Sequence, residues 1–120
     1  MKVKNCPVEE MLHMVSGKWK IPILRQLADG KPVRFKMIRS GIPEVSGKVL
    51  TQQLRALESD GLIQRAFFQE IPPRVEYQIT ESGLCMVRAM KELRKWGKGI
   101  KGVDMSTCEA CEIYGIYPDE

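Results

Sequence analysis

Around Gly61 the apolar residues change their period, and this constrains the fold more than any other feature of the chain. Before it, in SGKVLTQQLRALESDGLI, Leu50, Leu54 and Leu57 recur at i, i+4 and i+7, the spacing of one helix face. After it, LIQRAFF and RVEYQI alternate as strands do, joined by QEIPP. Ser46 is placed to cap the helix and Gly61 to stop it. The adjacent prolines Pro72 and Pro73 cannot donate to a sheet ladder, so they belong to the loop of an antiparallel hairpin. The returning strand then starts at Arg74, with Val75, Tyr77 and Ile79 on one face and Tyr77 and Ile79 as its anchors on the core.

The flanking segments are helical. Pro7 suits a first helical turn, and Val8, Met11, Leu12 and Val15 follow at helical spacing towards Gly17. In KWKIPILRQLADG, Trp19, Ile23 and Leu27 make a stripe reinforced by Leu24, Pro22 fits only near the start, and Gly30 closes the helix. KPVRF reads as a short strand leading into a helix from Phe35 to about Ser40, with Met37 and Ile38 inward. Gly41 and Pro43 mark the next stretch, GIPEVS, as a loop. Thr80 is placed to cap a long helix from about Glu81 to Gly99, with Leu84, Val87, Met90, Leu93, Trp96 and Ile100 along it.

A chain of 120 residues with 43% hydrophobic content is expected to form one domain, here residues 1–100, followed by a tail over 101–120. No apolar run approaches a membrane span, and no apolar stretch follows the N-terminal lysines as in a signal peptide. The chain is therefore expected to be cytoplasmic, without a membrane partner. A net charge of +4 is compatible with a nucleic-acid partner. The single histidine, His13, argues against most hydrolytic and zinc-enzyme sites. No catalytic residue, metal or cofactor is expected.

The order of helices, short strand and hairpin is the outline of a winged helix-turn-helix domain, mainly α with a small β-hairpin as the wing. CPVEEML, SGKWKIPILRQLADGKPVRFKMI, LTQQLRALESDGLI and PPRVEYQITESG, in this order, resemble the HxlR-type winged-helix transcriptional regulators, relatives of the MarR-like regulators. The resemblance runs from about Cys6 to Gly97. It implies a dimeric, sequence-specific DNA-binding regulator of bacteria or archaea, with repression of nearby genes as its activity. It also implies a response to electrophiles or oxidants through the N-terminal cysteine. Gly47 departs from the polar residue usual near the start of the recognition helix, and Gly41 is expected to loosen the loop before it.

Lys48, Thr51, Gln52 and Arg55 lie within roughly a 100° arc opposite the leucines, with no acid among them. On a helix in the major groove, Lys48, Thr51 and Gln52 are expected to meet bases and Arg55 bases or backbone, with Ser46 at the helix start. Without the wing and the resemblance, the same arc would read as a solvated face. Arg74 is expected to contact DNA from the wing; the competing reading pairs it with Glu70 or Glu76. Lys18, Lys20, Arg34, Lys36 and Arg39 flank the unit without assignment.

Cys6 precedes Pro7 at a helix start, where a thiolate is favoured; it reads either as an electrophile sensor or as a packing residue. Cys85, among apolar neighbours, is expected in the core. Cys108 and Cys111 have metal-ligand or redox spacing but form only half a zinc site. The first and last helices are expected to form a two-fold dimer interface through Met11, Leu12, Met86, Met90, Leu93 and Trp96, matched to a palindromic operator. The methionines there could also receive a small apolar effector. The alternatives are a winged-helix protein-interaction module without specific DNA binding and, from CxxC alone, a thiol oxidoreductase.

Overall fold

A computed structural model of the chain describes residues 6–102. Its elements run α1 (Pro7–Met14), α2 (Lys20–Leu27), β1 (Val33–Arg34), α3 (Phe35–Gly41), α4 (Gly47–Ser59), β2 (Ile63–Phe68), β3 (Arg74–Ile79) and α5 (Glu81–Gly97). The strands form one antiparallel sheet in the order β1-β3-β2. The hairpin register sets Phe68 opposite Arg74 and Ile63 opposite Ile79, so the prolines fall outside the ladder. β1 adds two residues on the far side of β3, with Val33 opposite Tyr77.

Helices α2 to α4, the sheet and Val87 of α5 share one core. Ile23, Leu24 and Leu27 of α2, Ile38 of α3, and Leu50, Leu54 and Leu57 of α4 are fully buried or nearly so, with Ile63, Tyr77 and Ile79 beneath them. Burying each leucine of α4 contributes about 1.5–3 kcal/mol, which holds this helix by one face and commits the other to the surface. The ends of α4 are defined chemically. Ser46 Oγ accepts the Val49 N–H at 3.1 Å. At the far end Gly61 adopts φ 77°, a conformation that favours glycine.

The chain then turns directly into β2. Thr80 ties this turn to the start of α5: its hydroxyl donates to the Gly61 carbonyl at 2.6 Å and accepts the Gly83 N–H at 3.0 Å. Gly83 is buried where α5 crosses the α4–β2 turn, and a Cβ there would collide with the Leu62 carbonyl and Ile79. Nothing in the periodicity of the last helix singles this residue out.

Four expectations change. Met37 is 62% exposed, because a helix of seven residues turns one position, Ile38, fully inward and Met37 is about 100° away from it. Gly41 does not loosen a loop; it ends α3 under the Gln26 amide of α2, which overlaps the place of a Cβ. Cys85 is exposed, not in the core, since α5 turns Leu84 and Val87 inward and carries Cys85 to its outer side. The last helix ends at Gly97, two residues early.

α1 and α5 are unlike the rest. α1 buries no residue, and Val8, Met11 and Leu12 are exposed. On α5, Met86 and Met90 pack partly against the core, whereas Leu93 is exposed and Trp96 is 68% exposed. No helix of the described residues is long and apolar enough to cross a membrane.

Candidate nucleic-acid interface

α4 places Lys48, Gln52 and Arg55 on its exposed side, opposite Leu50, Leu54 and Leu57. Among the described residues, neither Lys48 nor Arg55 has a carboxylate within ion-pair distance. Thr51 differs from these three. It is half-buried, and its hydroxyl donates to the Gly47 carbonyl at 2.8 Å. That proton is already committed, leaving the methyl group and the oxygen lone pairs for any contact.

The start of α4 gains a cation that its own sequence does not supply. Arg39 of α3 brings Nη1 within 3.4 Å of where a Gly47 Cβ would stand. A Cβ at Gly47 would stand in ordinary contact with it, so the guanidinium packs beside the helix N-terminus without requiring the glycine. The first turn of α4 has no acidic residue and contains Lys48. Two cations at the positive end of a helix dipole repel it, and an anion there relieves both. Arg39 was one of five flanking cations that sequence could not rank.

The wing hairpin stands beside α4. A concavity of about 450 Å3 lies between them, with Lys36, Thr51, Arg74 and Tyr77 among its walls. Tyr77 is buried below, and desolvation pushes its phenol above the ordinary value of 10.0, with the charges of Arg65, Glu58 and Arg55 acting on it more weakly. Arg65 of β2 reaches Glu58 at the end of α4 at 3.7 Å, linking wing and helix.

Arg74 lies in the wing but is held within it. Nη1 donates to Glu70 Oε2 at 3.1 Å. Nε stands 3.1 Å from Glu76 Oε2, close enough for charge attraction but misaligned for a hydrogen bond. The guanidinium also covers the Phe68 ring at 4.2 Å from its centroid, and only 23% of the side chain is exposed. A phosphate contact through Arg74 must therefore compete with two carboxylates.

Cys6 is exposed at the N-cap of α1, without a side-chain capping bond. Cys85 is a second exposed thiol, with the Arg88 Nη1 at 3.8 Å from its sulfur. Cys108 and Cys111 lie outside the described residues.

Comparison with known proteins agrees with this geometry. The HxlR-like helix-turn-helix family matches residues 14–104. The uncharacterized HTH-type transcriptional regulator YdeP of Bacillus subtilis (strain 168) is 41% identical over 98 residues, 82% of this chain and 76% of that protein. Among solved structures, the redox regulator HypR in its reduced form superposes with a TM-score of 0.71 at 36% identity, over 78% of this chain and 91% of that one. The reduced form of the transcriptional regulator YodB from B. subtilis gives a TM-score of 0.73 at 31% identity, over 84% of this chain and 100% of that one.

Proposed function

The chain belongs to the HxlR-like helix-turn-helix family, a transcriptional regulator of helix-turn-helix type, and from that premise we propose that it is a dimeric repressor whose α4 reads a palindromic operator. The observation that carries this is the exposed side of α4: Lys48 and Arg55 without acidic partners among the described residues, Gln52 between them, and Arg39 packed at the helix start. Retaining cations at the positive end of a helix opposes folding in the free protein and favours binding of a polyanion.

Within this reading Lys48, Gln52 and the methyl group of Thr51 meet bases, and Ser46 fixes the helix start. Arg55 and Arg39 meet bases or phosphates, and the wing that holds Arg74 meets the adjacent minor groove. Dimerisation uses the surface that the single chain leaves uncovered: Met11 and Leu12 of α1 with Leu93 and Trp96 of α5, bordered by Met86 and Met90. A two-fold pair presents two copies of α4 to half-sites about one DNA turn, roughly 34 Å, apart or a multiple of it.

An oxidant or electrophile is the proposed effector, acting at Cys6. Two observations support this: the thiol is exposed on a helix that buries nothing in its own subunit, and the similar solved structures include the redox regulator HypR and a diamide-treated form of YodB. Selection from a random duplex library at two salt concentrations tests the whole reading. The wild type should enrich a two-fold symmetric sequence. Gln52→Ala should change the consensus, losing about 1–3 kcal/mol of discrimination at one position per half-site. Lys48→Gln should reduce the salt slope by about one. Diamide should release the wild type and Cys85→Ser but not Cys6→Ser. No enrichment at either salt concentration would remove the DNA-binding reading, and equal release of all three proteins would remove Cys6 as the sensor.

A further inference from the structure

We propose that the wing enters the minor groove through an apolar tip, Ile71 with Pro72 and Pro73, and that Arg74 is a positioning residue which holds this tip rather than a phosphate contact. The proposal rests on the DNA-binding reading above and assigns the wing's contact to a residue that sequence did not single out.

Three observations lead to it. First, the loop between the paired residues Phe68 and Arg74 is QEIPP, which contains no cation. Second, the nearest cation is already engaged. Arg74 is bonded to Glu70, attracted to Glu76 and stacked on Phe68, so the charge at the base of the loop is compensated from within. Glu76 also faces Arg34 at 4.0 Å, which extends the same ion-pair chain to β1. Third, Ile71 is 103% exposed, so its side chain touches almost nothing of its own chain. Pro72 and Pro73 beside it are also exposed.

A single exposed aliphatic residue is ordinary on a protein surface. This one stands at the end of a ribbon whose loop is fixed by an arginine fork and two prolines, with a β-branched side chain that is stiff at χ1. Little freedom remains to be lost on docking. Apolar side chains of this type, isoleucine and proline included, enter the minor groove by wedging between base steps.

The occupant is inferred from continuity with the α4 surface. Thr51 of α4 and residues Ile71 to Arg74 border the same 450 Å3 concavity, and Lys36 lies on its rim. With α4 in the major groove, the sugar-phosphate strand between the two grooves crosses this concavity past the Lys36 ammonium. The tip then faces the next minor groove.

The test uses the full chain and a fluorophore-labelled duplex of the selected operator, reading affinity against salt and duplex bend by end-to-end energy transfer. Ile71→Ser should weaken binding about ten-fold with the salt slope unchanged. The bend should shrink as the wedge is lost, and Ile71→Val should retain most of both. Arg74→Gln should behave like Ile71→Ser, with an unchanged salt slope, because it acts through the tip. The proposal is overturned if Ile71→Ser keeps wild-type affinity and bend, or if Arg74→Gln lowers the salt slope by about one, which would make Arg74 the contact. Wild-type DNA binding by Ile71→Ser together with lost capture of a protein partner would make the tip a protein-docking site and equally overturn it. A wild-type chain that selects no operator removes the underlying reading as well, an outcome distinct from an operator on which only Ile71→Ser is silent.

Discussion

Helix α4 and the wing each carry an arginine, in opposite states. On α4, Arg55 and Lys48 have no carboxylate partner among the described residues, and Arg39 is added at the helix start. On the wing, Arg74 is enclosed by Glu70, Glu76 and Phe68. The difference separates two uses of a cation. One is left uncompensated, so its charge is available to a polyanion. The other is compensated locally, so that its fork fixes the shape of a loop. Counting basic residues would treat them alike.

The comparison can be broken most severely from beneath α4. Leu54→Ala removes a side chain buried at the centre of the core and should cost about 2–5 kcal/mol of unfolding free energy by urea titration. The wing should lose order along with α4, because Ile63, Tyr77 and Ile79 of the hairpin pack in the same core as Leu54. A milder change acts at one end only. Ser46→Ala removes the acceptor for the Val49 N–H and should cost about 0.5–2 kcal/mol, with amide exchange increasing in the first turn of α4 and not in the hairpin. A uniform increase would show that the two regions are one cooperative unit. The smallest effect sharpens the contrast directly. Glu70→Gln with Glu76→Gln releases Arg74 from its local charges, giving the wing the kind of free cation that α4 already has. The salt slope of operator binding should then steepen by about one, and affinity at moderate salt should change little only because the new phosphate contact offsets the lost support of the tip. An unchanged slope would mean that the guanidinium cannot reach phosphate even when free.

Much of this was legible in the sequence. The leucine spacing and Ser46 placed α4 correctly, since a helix with one apolar stripe and a capping residue is specified within its own few turns. Alternation and the two prolines located the hairpin and its loop for the same reason. The motifs carrying the family resemblance come from these segments too. Site details that depend on a neighbour were less accessible. Arg39 could not be ranked among the flanking cations, because only the packing of α3 brings it beside Gly47 at the start of α4. Cys85 and Met37 sit in apolar stretches that read as core, yet a short or one-sided contact leaves them outside.

What the sequence determined by itself is the set of elements and the polar side of α4, because periodicity, caps and breakers act over a few residues. What only the tertiary structure decided is the state of each side chain on those elements. Arg74 is engaged because Glu76 lies two residues along the strand and the loop brings Glu70 back to it, while Arg39 meets α4 because α3 packs at its start. Which charges are compensated depends on distances of a few ångströms between groups brought together by folding, and Coulomb and hydrogen-bond energies are decided at that range.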